Sequence, residues 1–190
     1  MTNRIGRFQG TASEWDAFVR AQTAWTHFHL AGWRRIYEEV FGHEYIALEA
    51  RSELGSTVGI LPLVRVRSLV FGHYLVSMPF VNYGGPLGEP DAVRALGEHA
   101  VELARESGVK LLELRSRVEQ PLSMPASHRK ITVVLDLPFG SSEPLWKALD
   151  AKVRSQVRRP QKEGVTFRFG LEQVAPFFEV FSTHMRDLGT

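Results

Sequence analysis

The sequence predicts an α/β protein in which helices flank one mixed, mostly antiparallel sheet. Three observations lead to this fold class: strand-like runs follow one another between residues 45 and 79, an amphipathic stretch spans 91–107, and strand and helix patterns alternate over 109–188. The chain has 190 residues, of which 44% are hydrophobic and 23% charged, the composition of an ordinary globular protein. A chain of this length can bury one good core, or one domain and the start of another.

The first elements are two helices. Ser13 is a plausible N-cap, and apolar residues at helical spacing follow it over 15–22. A second apolar stripe covers residues 30–41, and Gly42 is expected to end that helix.

The spacing then changes to that of strands. Residues 45–50 and 56–66 flank a turn at 51–55 and predict a hairpin, and residues 74–79 predict a third strand. Proline cannot donate a hydrogen bond within a sheet, so Pro62 is expected to place the second strand at an edge or at a bulge.

The rest of the chain alternates between helix and strand patterns. Gly108 should end the helix at 91–107, and the later elements are predicted at the following positions: strands 109–115 and 130–137, helices 143–150 and 152–162, strand 165–169, and a last helix from residue 172. That last helix has an apolar face: Val174, Phe177, Phe178, Phe181, Met185 and Leu188.

Composition and spacing exclude several functions. The chain has no cysteine, which rules out disulfides and thiol catalysis. Of seven histidines only His27 and His29 are close in sequence, so no metal site is expected, and no serine has the context of a hydrolase nucleophile. The window 69–81 is too short to span a bilayer, and residues 1–8 lack the apolar core of a signal peptide. We therefore expect a cytoplasmic protein.

Positive charge is concentrated late in the chain. Residues 152–168 contain six of the 23 basic residues and one of the 21 acidic ones, so this segment has a net charge of +5 and the remainder −3. Arg154 and Arg158 share a helix face, with Lys152 nearby, and arginine binds phosphate in a bidentate fashion. These basic side chains together suit an anionic ligand. The alternative is that they only form a solvated helix face. Pro160 interrupts the helical pattern.

The loop 82–86 is a second candidate for anion binding. It contains Asn82, Tyr83, Gly84 and Gly85 between a strand and a helix, and its backbone N–H groups could hold a phosphate or carboxylate. The alternative is an ordinary turn in which the glycines supply positive φ angles.

Other charged residues have simpler interpretations. Arg34 and Arg35 follow Trp33 and add two cations to the second helix. Glu113 could serve in catalysis, but pairing with Arg115 explains it more simply, and the same holds for Asp136 and Lys130.

Several stretches resemble FemAB-like proteins, most of all the branch associated with exosortase/PEP-CTERM exopolysaccharide loci. They are residues 75–87, residues 112–117, the basic helix and residues 184–190. The resemblance implies a GNAT-like fold, the acyl-CoA N-acyltransferase fold, repeated in two domains. Residues 1–170 would form the N-terminal domain, and 171–190 a helix leading to a second GNAT-like domain absent from this chain.

The same resemblance implies an acyltransferase. The chain would be the N-terminal, precursor-binding half of an acyl or aminoacyl transferase acting on a cell-wall or exopolysaccharide precursor, with aminoacyl-tRNA or acyl-CoA as donor. This half would bind no cofactor and would be inactive alone. The implied partners are the anionic glycan or sugar-nucleotide precursor, tRNA and the second domain. The substrate-binding residues expected are Trp33, Arg34, Arg35, Asn82, Tyr83, Gly84, Gly85, Arg115, Arg117, Lys152, Arg154 and Arg158.

No catalytic residue is named, because Ser116 and Arg117 stand where some family members have an acidic residue. Two other functions stay open: a non-catalytic module that binds sugar nucleotides or RNA, and an acetyl-CoA-dependent N-acetyltransferase. The second is disfavoured because residues 105–110 and 161–166 both depart at their last position from the Q/R-x-x-G-x-G/A loop that cradles the CoA pyrophosphate.

Overall fold

A computed structural model of the protein describes residues 3–68, 72–128 and 131–189. The chain divides into two compact units, Met1–Ser127 (unit 1) and His128–Thr190 (unit 2). No helix within the described ranges is long and apolar enough to cross a membrane.

Unit 1 is built on one sheet with the strand order β1-β2-β3-β4-β6, and β5 pairs with β3 beside this path. All strand pairs are antiparallel except β4 and β6, which are parallel and connected through a helix. The prediction of a mixed, mostly antiparallel sheet flanked by helices is confirmed. The strands are β1 Arg4–Arg7, β2 Glu44–Arg51, β3 Thr57–Ser68, β4 Gly72–Val76, β5 Leu87–Gly88 and β6 Leu111–Glu113.

The first helix, α1 (Ala12–Arg20), begins two residues earlier than expected. Thr11 is its N-cap: the Thr11 side chain accepts a hydrogen bond from the Glu14 N–H, and the Glu14 carboxylate accepts one from the Thr11 N–H. This capping box satisfies two free N–H groups at once, so Ser13 lies inside the first turn and the prediction for it is wrong.

The second helix, α2 (Gly32–Arg35), continues as a π-helical turn at Ile36–Val40. Gly42 follows with φ +65°, a left-handed conformation that glycine adopts without strain, and it ends the helical segment as predicted.

The third helix, α3 (Pro90–Glu106), packs along one face of the sheet. Its buried residues Leu96, Ala100 and Ala104 contact the strand residues of that face, among them Ile46 and Leu63. The opposite face holds two further clusters, one around Trp15 on α1 and one around Tyr37 on the π-helical turn. Alternate strand residues therefore enter different cores, as the two-residue period of a strand requires.

Pro62 does not mark an edge strand, so that prediction is wrong. β3 is central, with β2 on one side and both β4 and β5 on the other. On that second side the β5 pairing ends at Ile60 and the β4 pairing begins at Val64, so Pro62 lies in a gap between the two partners. The bulge of the β2–β3 hairpin lies at Ala50/Arg51 instead.

Unit 2 contains the helices α4 Glu143–Ala148, α5 Ala151–Lys162 and α6 Val174–Asp187, and α6 follows a 3₁₀ turn at Leu171–Gln173. Helix α5 includes Pro160 close to its end. The predictions of strands at 130–137 and 165–169 are wrong: residues 131–137 and 165–169 form neither helix nor strand, and Lys130 lies outside the described residues. A strand needs a hydrogen-bonded neighbour, and no described residue pairs with either stretch.

Candidate functional site

The carboxyl ends of β4 and β6 meet at one edge of the unit 1 sheet. The two strands are parallel, with Val76 opposite Glu113. Ligands of open α/β sheets bind in the crevice at such carboxyl ends. Two segments extend from this edge: residues 77–81 after β4 and residues 114–117 after β6. We refer to these segments and the loop 82–86 as the carboxyl edge.

The turn after β4 contains strained backbone. Met78 and Phe80 have φ angles of 56° and 68°, and they are the only described residues other than glycine with positive φ. Such conformations cost of the order of 1–3 kcal/mol each and cluster at functional sites. Met78 is buried, Phe80 is exposed, and the Tyr37 hydroxyl donates to the Pro79 carbonyl between them at 2.5 Å. The turn therefore presents Phe80 to solvent on a fixed backbone.

Gly84 and Gly85 have a role different from both interpretations of the sequence. Their N–H groups donate to the Arg115 carbonyl at 2.9 and 2.8 Å, so these amides are already occupied. Neither residue has positive φ. Glycine is required by close packing instead, because an added Cβ would lie 2.2 Å from the Met78 Cγ at position 84 and 2.3 Å from the Ser116 Oγ at position 85.

Arg115 joins the segments of the carboxyl edge. Its Nε donates to the Glu113 carboxylate at 2.8 Å, and its Nη1 donates to the Val81 carbonyl at 2.9 Å. Its backbone N–H donates to the Ser77 Oγ at 2.7 Å. The expected pairing of Glu113 with Arg115 is confirmed, which leaves Glu113 engaged as the partner of a cation.

His29 lies beneath this edge and is buried. Its Nε2 is 3.1 Å from the Gly85 carbonyl, which can only accept, so Nε2 carries the proton. Its Nδ1 then accepts from the Thr26 N–H at 3.1 Å. Desolvation by burial lowers the pKa of His29, and the carbonyls of Thr26 and Gly85, which can accept hydrogen bonds from a protonated ring, oppose this shift. Both ring nitrogens are therefore engaged. Sequence reasoning missed its role because its partner is 56 residues away.

Three of the substrate-binding residues expected from the sequence lie at the carboxyl edge and are available to a ligand. Asn82 and Arg117 are exposed and Tyr83 is half-buried. None of the three makes a hydrogen bond or ion pair with another described residue. Arg117 and Ser116 line a narrow cleft. The Ser116 hydroxyl is buried and has no hydrogen-bond partner among the described residues. These groups can contact a ligand without losing an existing partner.

Helix α2 brings Trp33 towards the same turn. The Trp33 ring packs 6.2 Å from the ring of Tyr37, which holds Pro79, and its Nε1 donates to the His27 carbonyl at 3.0 Å. Trp33 also packs against the buried cluster that contains Tyr37 and Met78.

The two arginines beside Trp33 are paired. Arg34 Nε lies 3.1 Å from the Glu38 carboxylate, and Arg35 Nε lies 2.8 Å from that of Glu39. Exposed pairs at this helical spacing contribute only about 0.3–0.5 kcal/mol, so a phosphate could replace either carboxylate at little cost.

The basic helix α5 belongs to unit 2, where its two shared-face arginines contact α4. Arg154 Nη1 donates to the carbonyls of Leu149 and Lys147 at the end of α4. The Arg158 guanidinium lies over the Trp146 ring, 5.1 Å from its centroid. Lys152 is exposed and makes no ion pair with a described residue. Assignment of Lys152, Arg154 and Arg158 to a ligand site stays a prediction.

Within the described ranges no group of three or more histidine, aspartate or glutamate side chains is placed to hold a metal ion. No known family model matches the sequence, and no curated protein matches it.

Solved structures do match. FemX superposes with a TM-score of 0.60 and 20% identity over 96% of this chain and 50% of the FemX chain, so the chain spans about half the length of that protein. A transcriptional regulator from Bacillus halodurans C-125 matches with a TM-score of 0.48 and 14% identity, over 70% of this chain and all of its own. A GNAT family acetyltransferase from Staphylococcus aureus matches with a TM-score of 0.47 and 11% identity, over 71% of this chain and all of its own. At these identities only the fold is established: the chain has the fold of the half of FemX that it matches.

Proposed function

We propose that this chain is the precursor-binding half of a FemAB-like acyl or aminoacyl transferase that acts on a cell-wall or exopolysaccharide precursor. The observation that carries the proposal is the likeness to FemX over 96% of the chain. The carboxyl edge supports it, because strained backbone and unpaired polar groups lie together there.

The precursor would be held at that edge by two kinds of group: those without a partner among the described residues, and arginines whose exposed ion pairs contribute little free energy. Arg117 and the arginines of α2 supply positive charge for the phosphates of a sugar nucleotide. Asn82 can donate to and accept from sugar hydroxyls. The exposed Phe80 ring offers an apolar face to a sugar ring. Each of these contacts can form without breaking a hydrogen bond that the fold needs.

The same edge lacks a free general base among the described residues. Glu113 is bound to Arg115, and both nitrogens of His29 have partners. In the proposed reaction an acceptor amine attacks the acyl carbon, an amide forms, and the ester bond to tRNA or the thioester bond to CoA breaks, releasing the tRNA hydroxyl or the CoA thiol. The amine proton must leave through a group outside this set. This favours a binding role for unit 1, and it equally favours the second candidate, a non-catalytic sugar-nucleotide module.

The proposed site can be tested by calorimetric titration of the chain with UDP-MurNAc-pentapeptide and with acetyl-CoA. We expect the sugar nucleotide to bind and acetyl-CoA not to bind. The double substitution Asn82→Ala/Arg117→Ala should weaken binding about tenfold or more, because it removes two polar contacts without disturbing any hydrogen bond between described residues.

Arg94→Ala is the matched control, because Arg94 is exposed on α3 and pairs only with Asp91 there. It should leave the affinity unchanged. Binding of acetyl-CoA alone would replace the proposal with an acetyltransferase. A sugar-nucleotide affinity that the double substitution does not change would place the site elsewhere.

A turnover assay tests the binding role that both candidates assign to this half. The chain is incubated with precursor and either aminoacyl-tRNA or acyl-CoA, and the acylated product is measured. We expect no multiple turnover by residues 1–190. Turnover would contradict the assignment of a binding role to this half.

A further inference from the structure

A cavity of about 260 Å³ lies at the start of β2, where β3 continues past the end of the β2–β3 ladder. The last pair of that ladder on this side is Glu44 with Arg65, so Arg67 has a partner on β4 but none on β2. Gly42, with its positive φ, turns the chain away and opens the space. We call this cavity the β2 notch.

The β2 notch carries more positive than negative charge. Arg65 and Arg67 are two residues apart on one strand and therefore face the same side. Glu44 is shared: one carboxylate oxygen lies 3.1 Å from Arg65 and the other 3.1 Å from Arg7. Arg65 also donates to the Ser107 hydroxyl at 2.8 Å, while its Nε has no hydrogen-bond partner in the part of the chain that the structure describes. Arg67 is exposed and forms no ion pair with a described residue.

Aromatic rings form another wall of the notch. The rings of Phe41 and His43 are stacked, with centroids 6.2 Å apart and an angle of 18° between their planes. Phe80 packs against both, at 5.0 Å from Phe41 and 6.1 Å from His43. Phe41 is nevertheless 46% exposed, so part of its ring is open to a ligand.

The notch is lined both by Arg67, which has no partner among the described residues, and by Phe41, whose ring is partly exposed, and this pair defines the chemistry of a ligand. We propose that the β2 notch binds a ring-bearing phosphate monoester, a sugar phosphate or a mononucleotide. Its phosphoryl group would contact Arg67, whose planar guanidinium fits a phosphate with two parallel hydrogen bonds. Its ring would lie against Phe41. The cavity is several times the roughly 30 Å³ that one water occupies in the liquid, so a compact organic anion fits.

None of the residues that line the notch is assigned to the proposed precursor site, but Phe80, which is assigned to that site, packs against Phe41 and His43. The two inferences are therefore separated by substitution of Arg67, which only the notch uses. The test is a calorimetric titration of the chain with ribose 5-phosphate, with UMP and with ribose. We expect both phosphates to bind at least tenfold more tightly than ribose. Tighter binding of UMP than of ribose 5-phosphate identifies a nucleotide ligand, and equal affinity identifies a sugar phosphate. Phosphates that bind no better than ribose overturn the proposal.

Substitutions then locate the site. Arg67→Ala should weaken binding of the phosphates about tenfold, Arg67→Lys should restore part of the affinity, and Phe41→Ala should weaken it about threefold. Arg94→Ala is again the control and should change nothing. Thermal unfolding of each variant verifies that it folds, which we expect because Arg67 is exposed and unpaired.

An unchanged phosphate affinity in Arg67→Ala overturns the assignment to the notch. The same variant should keep its affinity for UDP-MurNAc-pentapeptide, which distinguishes failure of this inference from failure of the proposed function.

Discussion

The two units carry similar apolar patterns but bury them differently. In unit 1, the residues of β3 alternate between two cores, with Leu61 and Leu63 on one side and Ile60 on the other, all fully buried. In unit 2, residues 131–137 carry a comparable pattern, yet Ile131 and Val133 are each 88% exposed. No described residue from 131 to 189 is buried. An apolar pattern therefore shows which face of a segment can be buried, and only a packing partner buries it.

The helices repeat this contrast. Helices α3 and α6 are both amphipathic, but α3 buries Leu96 and Ala100 against the sheet. On α6 the corresponding apolar residues are exposed, and Phe177 stacks on Phe181 of the same helix. Burial should therefore decide which substitutions destabilise the protein.

The strongest test of the contrast compares two leucines. Leu96→Ala should lower the free energy of unfolding by about 2–5 kcal/mol, because it leaves a cavity between α3 and the sheet. Leu171→Ala, at a position 90% exposed, should change it by no more than about 0.5 kcal/mol. Urea unfolding followed by circular dichroism measures both. If both variants lost the same free energy of unfolding, unit 2 would have a packed core around Leu171.

A second test compares two glycines of unit 1. Gly85→Ala should cost about 1–3 kcal/mol, because its Cβ would meet Ser116 and Arg115 at 2.3 to 3.1 Å. Gly6→Ala is the control, since no atom lies within 4 Å of the added Cβ. The same unfolding measurement applies, and a Gly85→Ala variant as stable as Gly6→Ala would refute the close packing of the carboxyl edge.

A third test compares two tyrosines in one cluster. Tyr37→Phe should cost about 1–2 kcal/mol, because the Pro79 carbonyl loses its donor. Tyr45→Phe should be neutral or stabilising, because the buried Tyr45 hydroxyl has no hydrogen-bond partner to lose within residues 3–68, 72–128 and 131–189. Thermal unfolding of the two variants distinguishes these outcomes, and a reversed order would contradict the hydrogen bond to Pro79.

The same tyrosines predict a loss of stability in alkali. Burial raises the pKa of Tyr37 from 10.0 to about 12, and burial raises the pKa of Tyr45 as well. Between pH 10 and 12 the unfolded state loses the phenol protons that the folded state keeps, so the free energy of unfolding falls as pH rises. Denaturant unfolding across this range should show a shallower fall in Tyr37→Phe than in the wild type. Identical slopes would argue against the raised pKa of Tyr37.

The smallest effect is expected within unit 2. Arg158→Ala removes the contact of its guanidinium with Trp146 and should cost about 0.5–1 kcal/mol of local stability. Arg159→Ala removes only an exposed pair with Glu163 and should cost less. Hydrogen exchange of residues 143–162 measures the difference. Equal protection in both variants would show that the ring contact does not hold α4 and α5 together.

Much of the fold of unit 1 could be predicted because its signals are local. Helix α3 shows an apolar stripe and a terminal glycine, and the β2–β3 hairpin shows two strand runs around a turn. Even the missed N-cap at Thr11 has a local signal, since Thr11 and Glu14 have the spacing of a capping box. The strands expected at 130–137 and 165–169 failed because pairing is not local.

The candidate site was predicted only in part. The glycines at 84 and 85 were identified, but for the wrong reason, because the atoms that exclude a Cβ come from Met78 and Ser116. The sequence did not indicate the strained turn at Met78 and Phe80, since methionine and phenylalanine normally avoid positive φ. The helical spacing of Arg154 and Arg158 was correct, yet the sequence did not indicate their contacts with α4.

By itself the sequence determined the absence of thiol chemistry and most elements of unit 1, though not the short strands β1 and β5, because composition and periodicity depend on residues close together in the chain. The tertiary structure decided which polar groups were already engaged and which remained free for a ligand. Arg115 binds Val81 34 positions away, and His29 binds Gly85 56 positions away, so neither engagement follows from a local pattern. Arg67 and Arg117 are free for the complementary reason: the fold brings no carboxylate of the described residues to them.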